Sequence, residues 1–504
     1  MKNFSRVFSA QPHHLSGSIV SVEIDITNGL HAFSIVGLPD KAVEESRDRV
    51  SSAIKNSGFT SPKQENQKTI VSLAPAELRK EGSYYDLAIA IGYLLSNHDI
   101  DFDPAGKIFI GELSLNGQLQ SVRGILPIVQ SVRDAGFSEV FLPSSNADEA
   151  SLISGTTIYA VDNLKQVIDH LNQESVLSGY IPQPLDEIKL EHGIDFSDIR
   201  GQESAKRGLE IAAAGGHNVI MSGPPGTGKT MLARAFTGVL PKLAEPEMLQ
   251  VTGIHSIAGT LRDKVIMYPP FRSPHHTSSH VSITGGGSIP KPGEVTLAHH
   301  GVLFMDEFPE FDGRVIESLR QPIEDKVVNI SRAKGTAVFP AQFTLVAAMN
   351  PCPCGNRGAL HKQCVCNPSE LARYRKKLSG PIMDRIDIWL TVEHIDYDKL
   401  GQSDPSTEKS SDIADRVYNA RKIQETRFSS TGKLNAHMNT RDIADQVMKP
   451  ETVELLNNSA KALKLSPRAY HRIIKLARTI ADLENSPSIE SEHILEALQY
   501  RPRE

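Results

Sequence analysis

Residues 223–230 read Gly-Pro-Pro-Gly-Thr-Gly-Lys-Thr and follow the apolar run His217-Asn218-Val219-Ile220-Met221. The pattern demands a strand, a glycine-rich turn and a helix start in that order, so it constrains the fold before any other feature does. Its glycines let backbone amides curl around phosphate oxygens, with Gly223, Pro224, Pro225, Gly226, Thr227 and Gly228 as the cradle. Lys229 is expected to neutralise the β and γ oxygens, and the Thr230 hydroxyl to hold Mg²⁺. A helix beginning near Lys229 adds its N-terminal dipole to the same anion site. The expected ligand is a nucleoside triphosphate.

The rest of the chain must accommodate that unit. A length of 504 residues predicts about three domains. With 39% apolar residues there is enough material for real cores. No apolar run approaches the roughly 20 residues of a membrane span, and no apolar stretch follows Met1-Lys2-Asn3-Phe4-Ser5 as in a secretory signal. A cytoplasmic protein with no membrane partner is expected. The net charge of −6 argues against a generally basic nucleic-acid coat, while leaving room for a local basic surface.

Three regions separate by pattern. The first, residues 1–174, alternates β-like stretches (19–26, 32–36, 69–73, 107–110, 139–142) with helical ones (41–57, 85–95, 125–134), which predicts an α/β or α+β domain. Residues 175–194, with Gly179, Pro182 and Pro184, read as a linker. Residues 195–395 hold the phosphate loop in an α/β domain. Residues 396–504 are nearly all helical in pattern, with helices expected at 411–425, 440–447, 452–464, 467–484 and 491–500. Pro467 suits a first helical turn, with Ser466 as its N-cap.

Two further motifs narrow the chemistry. Val302-Leu303-Phe304-Met305-Asp306-Glu307 reads as a buried strand ending in two carboxylates, and ligands sit at that end of parallel strands. Asp306 is expected to complete the Mg²⁺ shell, and Glu307 to orient or deprotonate the attacking water. A third apolar strand, residues 343–349, ends in Asn350, an amide suited to aligning that water. Phosphate loop, Asp-Glu strand and Asn strand in this order resemble an AAA+ ATPase.

The surrounding residues are more specific. Phe271-Arg272-Ser273-Pro274-His275-His276-Thr277, Gly285-Gly286-Gly287-Ser288-Ile289-Pro290-Lys291-Pro292-Gly293-Glu294 and Asn350-Pro351-Cys352-Pro353-Cys354-Gly355 resemble the YifB/ComM family of magnesium-chelatase-like AAA+ proteins. The resemblance implies a Lon-protease-like front domain (ribosomal S5 domain 2-like), a central AAA+ domain and a C-terminal helical lid. It places Gly201 and Gln202 near adenine, Arg385 as an arginine finger reaching a neighbour's γ-phosphate, and Arg468 as the second sensor on the lid. A finger acting in trans implies an oligomer, and the family implies a hexameric ring. Further implications are a DNA motor for branch migration or helicase-type remodelling in recombination or natural transformation, or alternatively a chelatase-type protein remodeller without a DNA substrate. In the front domain, the segment Lys80-Glu81-Gly82-Ser83-Tyr84-Tyr85-Asp86-Leu87 resembles the Lon-like pattern, but Asp86 stands at the nucleophile's place. Residues 117–136 contain no lysine, so a scaffold rather than a peptidase is expected.

The four cysteines all fall in one short segment, as Cys352-Pro353-Cys354 and Cys364-Val365-Cys366. Four thiolates satisfy tetrahedral zinc with no open position, which makes the expected site structural; unligated thiols or another metal are the alternatives. One residue between paired cysteines departs from the usual two to four. Residues 328–339 read as a hairpin with a Lys-Gly turn, resembling the pore hairpin of ring helicases, so Arg332 and Lys334 are candidate DNA contacts. Arg373, Arg375, Lys376 and Lys377 read either as a second basic patch or as a solvated face. His275, His276, His280, His299 and His300 lack the spacing of a familiar ligand pair, and no site is expected there.

Overall fold

A computed structural model describes residues 3–182, 193–261, 265–287, 290–332, 335–358, 362–378, 380–394, 408–430 and 432–502. The chain divides into two compact units, Met1–Glu187 with Met248–Ile266, and Ile188–Glu247 with Met267–Glu504.

In the first unit, β1 (Phe4–His13), β2 (Ser16–Asn28), β3 (Ala32–Val36) and β4 (Gln67–Ala74) form a sheet in the order β1-β2-β4-β3. Only the β3–β4 pair is parallel. Strand period explains the register: Val20, Val22, Ile24 and Ile26 all turn inward, and Val22 and Ile24 lie opposite Leu73 and Val71. The helix Asp86–Ser96, buried throughout residues 87–94, belongs to the same core. Five shorter strands follow, β5 (Lys107–Phe109), β6 (Glu112–Leu113), β7 (Leu119–Gln120), β8 (Glu139–Pro143) and β9 (Thr157–Val161). Of these, β5-β8-β9 make a parallel sheet, and β6 pairs antiparallel with β7.

Asp86 explains itself in this unit. Its carboxylate is fully buried, accepts from Ser46 Oγ and Arg49, and takes the Leu113 N–H at 3.1 Å. Burial pushes its pKa up, and the Arg49 guanidinium beside it acts in the opposite sense. Ser83 Oγ donates to the Glu112 carboxylate. Asp86→Ala strands Arg49, Ser46 and the Leu113 amide together. It should cost about 4 kcal/mol and lower this unit's unfolding temperature by roughly 10 °C in calorimetry. An unshifted transition would show that the ion pair holds nothing.

The second unit is built on five parallel strands. These are β10 (Val219–Ser222), β11 (Phe271–Arg272), β14 (Val302–Met305), β17 (Thr344–Met349) and β18 (Ile388–Thr391), in the order β11-β14-β17-β10-β18. Two hairpins intervene: β12 (Gly285–Gly286) with β13 (Lys291–Pro292), and β15 (Val327–Arg332) with β16 (Gly335–Pro340). The second hairpin corrects one detail of the sequence reading. Gly335 pairs with Arg332 inside the ladder, so it is a strand residue and not part of the turn. The C-terminal helices run Ser410–Phe428, Thr440–Ala444, Pro450–Ala462, Pro467–Leu483 and Ser491–Gln499. Ser466 Oγ caps the fourth by accepting from the Ala469 N–H at 3.2 Å. Ile473, Ile474, Ala477 and Ile480 line one face of that helix and join the same core as Val219, Met221 and Phe304. The regions expected as ATPase domain and lid therefore share one core. Among the described residues no helix is long and apolar enough to cross a membrane.

Candidate nucleotide site and its surroundings

The strand order decides which residues meet. β10 lies between β17 and β18, and β14 lies beyond β17, so the residues leaving β10, β14 and β17 emerge side by side at the carboxyl edge. Residues 223–228 leave β10 there and lead into the helix Lys229–Ala235. At Gly223 a Cβ atom would lie 2.0 Å from the Val392 carbonyl oxygen, so only glycine fits beside β18. Gly228 turns the chain into the helix at φ +90°, in the left-handed region.

Lys229 Nζ donates to Gly223 O (2.6 Å), Pro224 O (2.8 Å) and Asn350 Oδ1 (3.3 Å). Burial pulls this ammonium below its ordinary pKa, and the Asp306 charge opposes the shift. Thr230 Oγ1 donates to Asp306 Oδ2 at 2.9 Å, and the Glu307 N–H donates to Asp306 Oδ1 at 2.9 Å. A lysine, a hydroxyl, a carboxylate and an amide thus converge at one sheet edge. Hard oxygen donors there suit Mg²⁺, and the lysine suits phosphate. Gly201 and Gln202 both adopt positive φ just before the helix Glu203–Gly215. Gln202 Nε2 donates at 2.6 Å to the carbonyl of Glu393, the residue after Val392, which sets this segment beside the same strand ends.

Arg385 and Arg468 lie elsewhere. Arg385 donates to Pro381 O at 2.5 Å and pairs with Glu324, and Arg468 reaches the other oxygen of Glu324 at 3.1 Å. Both line a cavity of about 580 Å³ with Lys326, Arg472, Lys475 and Glu324, and no residue of the phosphate loop lines it. The two arginines come together with each other, not with Lys229.

The four Sγ atoms of Cys352, Cys354, Cys364 and Cys366 lie within 4.8 Å of one another. Three of the separations are 3.4 Å (Cys352–Cys354) and 3.7 Å (Cys354–Cys364 and Cys364–Cys352). A zinc ion with four sulfurs at ~2.3 Å has tetrahedral edges of about 3.8 Å, so the thiols fit that ion. The Arg357 N–H points at Cys352 Sγ at 3.4 Å, and N–H groups of Asn356 and Val365 lower the Cys354 thiol to about 6. The knuckle also touches the nucleotide edge. A Cβ at Gly355 would lie 2.8 Å from Pro225, and Tyr374 Oη donates to Asn350 O at 3.0 Å.

The basic residues sort differently. Arg373, Arg375 and Lys376 are exposed on the helix Pro368–Lys376, and Lys377 pairs with Glu310 at 2.8 Å, the arrangement of a solvated face. Lys334 lies outside the described residues, as does the Arg332 side chain. Two partners were not visible in the sequence. His276 Nδ1 stands 3.0 Å from Glu307 Oε2, and Glu324 collects both arginines. Each is a single residue far along the chain from its partner, with no spacing to announce it.

Three families of known proteins match successive parts of the chain. Residues 195–400 match magnesium chelatase, subunit ChlI; residues 22–146 match subunit ChlI of Mg-chelatase; residues 407–501 match the ChlI C-terminal region. The chain is 40% identical to the competence protein ComM of Haemophilus influenzae over 501 residues, covering 98% of this chain and 97% of that one. It is 40% identical to the YifB protein of Escherichia coli over 485 residues, covering 96% and 94%. A more distant likeness, 22% over 407 residues, links 76% of this chain to 45% of the zygotic DNA replication licensing factor mcm6-B of Xenopus laevis. Identity of this extent over almost the whole length, with family matches in the front, central and C-terminal regions, shows that the chain belongs to the YifB/ComM family of magnesium-chelatase-like AAA+ ATPases.

Proposed function

We propose that this protein is one subunit of a cytoplasmic, ATP-hydrolysing ring, with six subunits by family analogy, that remodels DNA and moves branched joints during recombination or the uptake of foreign DNA. The observation that carries the reading is the separation of Arg385 and Arg468 from Lys229, Thr230, Asp306 and Asn350. A site divided in this way is completed by a neighbouring subunit, as in a heterologous ring interface. Thr230 and Asp306 would hold Mg²⁺, which would supply charge neutralisation to the phosphates, and Gly201 and Gln202 would lie against the base. Lys229 and the loop amides bind the β and γ oxygens. Water forms the new bond to the γ-phosphorus, its proton passes to Glu307, and the β–γ bridging bond breaks to release ADP. Asn350 aligns the water, and Arg385 with Arg468 stabilises the charge on the transferring group. The four cysteines hold one structural zinc ion.

DNA is supported as the substrate by two likenesses, to a relative named for competence and to a replication licensing factor. The hairpin β15–β16, one strand before Asn350, carries the proposed contacts Arg332 and Lys334. ATPase rates with and without branched or single-stranded DNA test this, followed by joint unwinding with wild type and Glu307→Gln. DNA should raise the wild-type rate, and Glu307→Gln should unwind nothing. Replacing Arg332 and Lys334 should lower the stimulation while leaving ATP binding intact. A rate indifferent to DNA, with no joint remodelled, favours the chelatase-type remodeller of a protein partner.

A further inference from the structure

The five-stranded sheet has a second cavity, of about 310 Å³, at its amino edge, opposite the edge that carries Lys229. Gly301 and Thr344 line it where β14 and β17 begin, and the far ends of those two strands lead to Asp306 and Asn350. Leu240, Leu243, Phe343 and Leu434 supply apolar wall. Arg421 and Lys422, both on the helix Ser410–Phe428, join Lys242 as cations, against the carboxylates of Glu247 and Glu425. Glu247 is already engaged: the Ala244 N–H donates to its Oε2 at 3.1 Å, and His300 Nδ1 stands 3.4 Å from its Oε1.

Arg421 is incompletely matched there. Its Nε and Nη2 both donate to Ala213 O, at 2.9 and 2.6 Å, one of the last carbonyls of the helix Glu203–Gly215. That contact explains one side of the guanidinium, as a cation at a helix C-terminus. Nη1 donates to nothing among the described residues, and no carboxylate among them lies within ion-pair distance of the group. Burial pulls the guanidinium down to about 10, with Glu247 and Glu425 acting against the shift from farther off. Taking a charge out of water is costly, and a sequestered cation ordinarily has its counter-charge in contact. Arg421 instead borders a cavity of the size that small ligands occupy.

We propose that this cavity binds a small organic anion, with a phosphate or carboxylate head on Arg421 and Lys422 and its body against the apolar wall. The planar fork of an arginine suits either head, and a lysine adds a point charge. Lys422 Nζ rests 4.9 Å from the centre of the exposed Tyr418 ring and makes no ion pair among the described residues. The second cation is thus kept at the rim without a carboxylate of its own. Because the cavity and Lys229 lie at opposite edges of the sheet, the anion does not compete with a nucleotide at the phosphate loop.

The test is calorimetric titration of the full-length protein with phenyl phosphate and with benzoate, each with and without a slowly hydrolysed ATP analogue and Mg²⁺. At least one probe should bind with a Kd on the order of 1 mM, the strength that about ten non-hydrogen atoms supply, and the analogue should leave that Kd unchanged. Tighter binding of phenyl phosphate assigns a phosphorylated ligand, tighter binding of benzoate a carboxylated one, and equal binding a site that reads charge alone. Arg421→Gln keeps an N–H for the Ala213 carbonyl and should weaken binding about tenfold. Lys422→Glu changes an exposed residue that the fold does not depend on, and should weaken binding roughly fivefold. It decides the matter alone if Arg421→Gln does not fold. The proposal is overturned if neither probe binds, or if binding survives both changes. It is equally overturned if nucleotide-free binding disappears in Lys229→Ala and persists in Arg421→Gln, which places the anion at the phosphate loop.

Discussion

Arg385→Ala should lower kcat for ATP hydrolysis by about a thousandfold and leave the affinity for ATP nearly unchanged. In the single chain Arg385 is spent on Glu324 and Pro381 O, and it touches nothing at the phosphate loop. A loss of hydrolysis on its removal therefore has to arise at a neighbour's site. The decisive measurement mixes subunits. Arg385→Ala alone lacks the finger, and Lys229→Ala alone lacks the phosphate clamp, so each should be inactive. In an equal mixture roughly a quarter of the interfaces pair an intact Lys229 with a neighbour's intact Arg385, and activity should return to about that fraction. No recovery would place Arg385 in the same chain's site or outside catalysis. Arg468 shares Glu324 with Arg385, so Arg468→Ala should complement in the same sense. Complementation by Arg385 but not by Arg468 would separate the two roles.

That experiment depends on residues of uneven legibility. The phosphate loop and the Asp306-Glu307 strand could be read from sequence because each packs its chemistry and its local structure into one short run. The C-terminal helices were also readable, since buried residues recur with the helical period and Ser466 with Pro467 marks a start. Strand β1 escaped for a physical reason. Its inward positions include Ser5, Ser9 and Gln11, so no apolar alternation survives. Those polar groups are buried because each has a partner: Ser5 donates to Gly92 O, Ser9 to Tyr84 O and Gln11 to Arg79 O. β11 and β18 are too short, at Phe271–Arg272 and Ile388–Thr391, to show a period at all. His276 and Glu324 were illegible for another reason. Their importance lies only in what tertiary structure brings to them, a carboxylate in one case and two guanidinium groups in the other.

The cysteine knuckle offers the second large effect. Purified protein should contain one zinc ion per chain, and removing it should lower kcat about a hundredfold, as losing one preorganised polar group at a reacting centre does. The reasoning starts from Asn350, which lies two residues before Cys352. Asn350 Oδ1 accepts from Lys229, its carbonyl accepts from Tyr374, and Gly355 of the knuckle presses on Pro225 of the phosphate loop. Tetrahedral thiolate ligation contributes folding free energy outright, of order 10 kcal/mol, so without it the segment after Asn350 loses its main constraint. Chelation or paired Cys→Ser changes should therefore depress kcat more than they weaken ATP binding. Zinc added back to the chelated protein should restore the rate, whereas the Cys→Ser protein should not respond. The folded body supplies a control: the buried helix and strands of the sheet are anchored independently of the knuckle, so far-ultraviolet circular dichroism should change little. Metal-free protein with full kcat would show that Asn350 is held by β17 and Tyr374 alone, and that the thiols serve some purpose other than this site.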